Sequence, residues 1–169
     1  TSPINVPAHD NSAMDGFALD GKQLGSSPLT LRVVGTALAG KAWQGSLKSG
    51  ECVKIMTGAV MPAGLDTVVA QELATVHTSG DETMVEIPAG ILRAGDNRRK
   101  AGEDLQRGLP ALRAGSSLNP AALGLVASLG IAKVKVYRQL RVAYFSTGDE
   151  VLSLGDAMRE GAVYDSNRF

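Results

Sequence analysis

Between Leu29 and about Glu86, short runs rich in Val, Thr and Ile alternate with gaps punctuated by Gly, Pro or Asp. Leu29 to Val34, Cys52 to Ile55, Thr67 to Glu72, Leu73 to His77 and Met84 to Ile87 have strand length and composition, which predicts an irregular, mostly antiparallel β domain. Ser79-Gly80-Asp81, between Val76 and Val85, reads as a hairpin tip with Gly80 as its left-handed residue. Helical signals concentrate in one place: Asn119 as N-cap, Pro120 at the first helical position, the apolar run Ala121 to Leu129, and Gly130 as the stop. They predict a helix over 120–129. Beyond it, Ala132 to Tyr137 is a charged strand candidate. The apolar run Leu140 to Phe145 then leads into the polar loop Ser146-Thr147-Gly148-Asp149-Glu150. An open α/β domain begins in this way and receives ligands at the carboxyl ends of its strands. Tyr164-Asp165-Ser166-Asn167-Arg168 places capping residues where a crossover helix should start, and no helix follows in the sequence. The expectation is a chain that stops inside a further domain, because a parallel strand needs its crossover to be paired.

The stretch from Gly90 to Arg113 departs from both patterns. Arg93, Arg98, Arg99, Lys100, Glu103, Asp104 and Arg107 crowd into a glycine-containing segment that reads as a functional loop or linker. The organisation expected is mainly β with α/β parts: an irregular β domain over 1–100, an elongated linker region over 101–138 containing the helix, and the opening of an α/β domain over 139–169.

Composition narrows the function more than the fold. The 169 residues suffice for one ordinary domain and pieces of others, and 44% hydrophobic against 20% charged residues argues against disorder. Lys plus Arg number 17, as do Asp plus Glu, so no net field recruits nucleic acid or an anionic membrane, and charge-based function must be local. One Trp, three Tyr and three Phe offer little for stacking single-stranded nucleic acid. The single Cys52 excludes a disulfide within the chain and multi-cysteine zinc patterns, while His9 and His77 match no ligand spacing. No run approaches the roughly 18 apolar residues of a membrane span, and Thr1 to Asn11 lacks a basic-then-apolar signal. The cytoplasm is the expected compartment.

Several short motifs carry chemistry, each with a plainer reading beside it. Gly35 to Ala42 nearly copies a phosphate-binding P-loop, but Ala42 stands where a magnesium-binding hydroxyl is needed and the context is β rather than strand into helix. Asp10-Asn11-Ser12-Ala13-Met14-Asp15-Gly16-Phe17 holds two carboxylates, an amide and a hydroxyl, and taken alone it reads first as a polar turn or cap. Thr57 follows a strand directly, where its hydroxyl meets an anion or simply ends a strand. Gly102-Glu103-Asp104 and Gly148-Asp149-Glu150 repeat carboxylates beside a glycine, most often a solvated turn. Read together, Asp15, Asp104, Glu150 and the Thr57 hydroxyl supply the oxygen ligands a hard cation such as Mg²⁺ takes alongside substrate phosphates, if the fold brings their loops together. Arg98-Arg99-Lys100 adds donors for an anionic substrate, or else forms a solvated face offset by Glu103 and Asp104.

Five segments in order, Asp10 to Phe17, Lys54 to Gly64, Asn97 to Asp104, Ala127 to Ile131 and Phe145 to Glu150, closely resemble the molybdopterin molybdenumtransferase family, which includes bacterial MoeA and the E domain of gephyrin. The resemblance implies the last step of molybdenum cofactor synthesis, in which adenylylated molybdopterin and molybdate are joined with release of AMP and a requirement for Mg²⁺. It implies Asp15, Thr57, Asp104 and Glu150 as catalytic positions, with Asp15 and Glu150 holding the metal or the pterin phosphate region and Thr57 and Asp104 orienting molybdate or the leaving group. Ser12, Arg99, Ser146, Thr147 and Gly148 are the implied substrate-binding positions. The family carries an apolar residue where Arg98 stands, so Arg98 receives no site role. The resemblance further implies a homodimer, with region 101–138 a dimerisation element, and molybdopterin adenylyltransferase as functional partner. Region 139–169 is then the start of the molybdopterin-binding domain, and the chain is expected to be an N-terminal fragment that is inactive by itself. The competing reading is a non-catalytic β binding or dimerisation module.

Overall fold

Period-two alternation with both faces apolar decides the centre of this fold. The computed structural model describes residues 1–167; Arg168, the last of the capping run, lies outside them. The chain divides into two compact units, Thr1–Ala132 and Lys133–Phe169.

In the first unit, β1 (Asn11–Ser12) leads into β2 (Gly16–Leu19), and β3 (Leu29–Ala37), β4 (Glu51–Ile55), β5 (Thr67–Ala70), β6 (Thr75–Ser79), β7 (Glu82–Ile87) and β8 (Arg98–Arg99) follow. Six of these strands form one sheet in the order β5-β2-β4-β3-β7-β6. Phe17 and Leu19 of β2, Cys52 of β4 and Val69 of β5 enter one apolar cluster with Leu31, Val85 and Ile87. Their neighbours Ala18, Val53, Ile55 and Val68 enter a second cluster with Ala37, Ala59, Met61 and Leu65. Successive side chains of a strand point to opposite faces, so β2, β4 and β5 are buried from both sides and read as continuous apolar runs. Burial also pushes the Cys52 thiol up to about 12, which leaves it an inert core residue.

All five expected β runs are strands, with shifted ends. The hairpin turns at Gly80-Asp81 between the paired Ser79 and Glu82, with Gly80 at φ 58°. The expectation of mostly antiparallel pairing holds except at one place: β3 and β4 run parallel. Parallel neighbours need a long connection, and residues 38–50 supply it. Within that connection Trp43 packs against the second cluster. A Cβ on Gly35 would lie 2.3 Å from Trp43 Nε1, and one on Gly45 2.0 Å from its ring. The first glycine of the P-loop look-alike thus sits in β3 to seat an indole, and Leu38 and Lys41 bridge across a turn with no helix after it.

Strand β2 escaped the sequence reading because Asp15 and Gly16 resemble turn residues. The two-residue pair β1–β8 was hidden for a similar reason, since polar and basic residues there carry no apolar alternation.

Helix α1 (Pro120–Ser128) forms where expected. Asn119 accepts the Ala122 N–H at 2.8 Å, and Ile131 N–H bonds Val126 C=O while Gly130 N–H bonds Ala127 C=O, a paired C-terminal closure. Asn119→Ala is expected to weaken the helix by about 1 kcal/mol. Roughly fivefold faster amide exchange at Ala122 would report that loss, and unchanged exchange would show that the cap contributes nothing.

In the second unit the strands expected at Ala132 to Tyr137 and Leu140 to Phe145 are absent; the backbone there makes no ladder, and Val136, Tyr137, Leu140, Val142 and Phe145 are exposed. A strand requires a neighbour to take up its N–H and C=O groups, and no described residue does so here. The ordered pairing is instead a parallel pair, β9 (Val151–Leu152) with β10 (Val163–Tyr164). Among the described residues no helix is long and apolar enough to cross a membrane.

Candidate functional site

Three segments meet in the first unit: 10–15, 56–61 and 97–104. Ser12 N–H donates to Ala59 C=O at 3.0 Å and Gly58 N–H returns a bond to Ser12 C=O at 2.9 Å. On its other side the segment pairs with β8, Asn11 opposite Arg99 and Ser12 opposite Arg98, and Ala13 N–H donates to Asn97 C=O at 2.9 Å. Asn97 adopts φ 57°, a left-handed conformation that asparagine tolerates, and its amide donates to Val68 C=O at 2.9 Å, which anchors the basic motif on β5.

Asp15 stands at the entry to β2. Its Oδ1 accepts both the Thr57 hydroxyl and the Thr57 N–H, each at 2.7 Å, while among the described residues no bond falls on Oδ2. The Thr57 hydroxyl, then its N–H, then the charge of Lys54 hold the Asp15 carboxyl below the ordinary carboxylate range. The residue is therefore ionised with one oxygen open. Thr57 spends its hydroxyl proton on Asp15 and keeps its lone pairs for an incoming donor or cation.

Arg99 and Asp104 also meet. Arg99 Nε donates to Glu103 Oε1 at 2.6 Å and one terminal nitrogen donates to both Asp104 oxygens at 2.6 Å. Those bonds, to Glu103 first, raise the Arg99 pKa, and Arg99 in turn lowers that of Glu103. The second terminal nitrogen of Arg99 makes no bond among the described residues, so an anion still finds two N–H donors there. The Asp104 side chain is 51% exposed. Ser12 is 1% exposed, and its hydroxyl donates to Met14 C=O at 2.6 Å. In this structure it shapes the turn that presents Asp15. Arg98, to which no site role was given, is bonded to Asp10.

In the second unit, Ser146 and Thr147 line a cavity of about 390 Å³ together with Tyr144, Val151, Asp165 and Asn167. The Ser146 hydroxyl donates to Asp165 Oδ2 at 2.5 Å and lies 2.8 Å from the Tyr144 hydroxyl. Gly148 has φ 143°, a backbone conformation that favours glycine, and the exposed Glu150 carboxylate folds over it, 2.5 Å from where a Cβ would lie. Sequence reasoning missed Tyr144 altogether and saw Asp165 only as a cap. The Tyr-x-Ser spacing, which puts i and i+2 on one side of an extended segment, was the available signal.

Among the described residues, no three His, Cys, Asp or Glu side chains gather as metal ligands. An ionised carboxylate with a free oxygen beside a threonine hydroxyl nevertheless suits one edge of a Mg²⁺ sphere, whose other ligands are commonly water and substrate phosphate.

This architecture defines a class: a β-rich protein that gathers an acidic, hydroxyl-bearing site from loops far apart in sequence. Within that class the assignment is specific, because the family model of the MoeA N-terminal region (domain I and II) matches residues 1–130, and the chain belongs to the MoeA family. It is 47% identical to the molybdopterin molybdenumtransferase of Haemophilus influenzae over 99% of its own length and 40% of that protein, and 37% identical to the Nostoc protein of the same name over 99% and 38%. Two crystal structures of the molybdopterin biosynthesis MoeA protein of Pyrococcus horikoshii superpose with TM-scores of 0.82 and 0.84, at 33% and 27% identity, over 98% of the chain and 42% and 44% of theirs. The chain thus spans about 40% of the length of the curated relatives.

Proposed function

We propose that this chain contributes to a molybdopterin molybdenumtransferase, which joins molybdate to adenylylated molybdopterin and releases AMP in a Mg²⁺-dependent step. The observation that carries the reading is the Asp15–Thr57 pair, an ionised carboxylate and an oriented hydroxyl held at a strand end by two 2.7 Å bonds, in a chain whose relatives bear that name. Asp15 Oδ2 and the Thr57 oxygen offer two acceptor atoms to the cation, which would neutralise charge on the phosphates of the substrate. Arg99, braced by Glu103 and Asp104, directs its remaining donors to molybdate or to a phosphate oxygen, and Asp104 fixes the guanidinium plane. Ser146 and Thr147, with Asp165 as acceptor, receive hydrogen-bonding groups of the pterin in the cavity they line, while Glu150, which does not line that cavity, is proposed to hold the cation or the pterin phosphate region at its rim. The working protein is proposed to be a cytoplasmic homodimer supplied by molybdopterin adenylyltransferase.

A second reading, a non-catalytic β dimerisation module, draws on one observation: the charge of Arg99 is already offset by two carboxylates, Glu103 and Asp104. The deciding experiment uses the protein at its natural full length with adenylylated molybdopterin and Mg²⁺. AMP is expected to appear only when molybdate is added. No AMP at any molybdate concentration would reject the enzyme and leave the module.

A further inference from the structure

Asp10 stands outside the residues assigned above, yet all three of its oxygens are engaged. Its backbone C=O accepts Met61 N–H at 2.9 Å, Oδ1 accepts Ala101 N–H at 2.8 Å, and Oδ2 accepts Arg98 Nε at 2.8 Å and a second Arg98 nitrogen. One residue therefore ties segment 10–13 to the 56–61 loop through its backbone and to the 97–104 segment through its side chain. The ion pair is half-buried, Arg98 29% and Asp10 32% exposed, so water screens it less than a surface pair. Ala101 N–H first, and Arg98 after it, hold the Asp10 carboxyl below the usual range. Strand β8 explains the division of labour. Neighbouring residues of a strand point to opposite faces, so Arg98 turns to Asp10 while Arg99 turns to Glu103 and Asp104.

We propose that Asp10, with Arg98 as its counterion, is a positioning residue that sets the spacing of the Arg99–Asp104 pair against the Asp15–Thr57 pair without touching substrate. It rests on the function proposed above. A neutral side chain of the same shape cannot replace it: Asp10→Asn keeps an acceptor for Ala101 but sets amide hydrogens against the guanidinium, two donors facing each other.

The test compares the full-length protein with Asp10→Asn, Arg98→Leu and Arg98→Lys, and uses Asp15→Ala as a control. In Asp10→Asn, amide exchange at Ala13 and Ala101 is expected to quicken by about tenfold, while Val53 and Val69 in the core keep their protection. The kcat of molybdate-dependent AMP release is expected to fall by roughly tenfold to a hundredfold with KM within about twofold, the signature of misplaced rather than missing groups. Arg98→Leu should behave alike and Arg98→Lys should recover part of the loss. Faster exchange with wild-type kcat, or exchange rising equally throughout the core, would make Asp10 a structural residue and overturn the proposal. An Asp15→Ala protein with full activity, which lacks both bonds to Thr57, would instead remove the site itself, and the positioning role would fall with it.

Discussion

Asp15→Ala in the full-length protein is expected to lower molybdate-dependent AMP release by about a hundredfold or more, the scale on which a preorganised charged group acts at a reacting centre. The fold should scarcely notice. Asp15 is only partly buried and Thr57 is exposed, so water replaces the lost acceptor for the Thr57 N–H and hydroxyl, and stability should move by no more than about 0.5 kcal/mol. Asp15→Asn separates the two things the carboxylate does. The amide oxygen still accepts both 2.7 Å bonds from Thr57, so the loop geometry survives while the charge is gone. If charge toward a cation is the contribution, the asparagine protein should lose as much as the alanine protein. Near wild-type turnover in Asp15→Asn would show that Asp15 only orients Thr57, and would withdraw it as a metal ligand.

One residue further on, the expected effect shifts from chemistry to folding. Gly16 opens β2, opposite Ile55 of β4 on one side and Ala70 of β5 on the other. A Cβ at this position would fall 1.8 Å from the Val69 carbonyl oxygen and 2.8 Å from its carbon. Those are backbone atoms of a fully buried neighbouring strand, so no side chain can swing aside, and β5 would have to move as a whole. Overpacking a core ordinarily costs about 1–3 kcal/mol, and a backbone collision in a central strand belongs at or above the top of that range. Since a domain is stable by only about 5–15 kcal/mol, Gly16→Ala is expected to yield a largely insoluble chain or a much lower urea midpoint. A midpoint equal to wild type would mean that β2 and β5 are not this close. Because the displaced strand ends beside Asp15, whose C=O accepts the Gln71 N–H at 3.0 Å, any surviving protein should also lose the Asp15–Thr57 bond.

Residues 10–17 show how far the sequence carried and where it stopped. Their types announced a polar turn and also matched a family motif, and both were correct in part. Asp15 does end a turn, but the turn feeds a buried central strand, which no local pattern indicates because Gly16 is there for a contact with a strand more than fifty residues away. The basic segment is similar. Its charges were plain in sequence, yet the partition of Arg98 to Asp10 and Arg99 to Asp104 follows from a two-residue strand pairing that has no apolar signature. At Leu140 to Phe145 the alternation was real and the strand was not, because a strand is a property of two segments and sequence reports only one.

By itself, then, the sequence determined the strand-forming runs, the capped helix, the hairpin and the residue types of the site, since these follow from propensities and periodicities within a few positions. Only the tertiary structure decided the parallel pairing of β3 with β4, the seating of Trp43 on Gly35, the open oxygen of Asp15 and the clamp of Asp10 across segments 10–13, 56–61 and 97–104. Each of these depends on which distant groups meet, and that is set by burying both faces of one sheet at once.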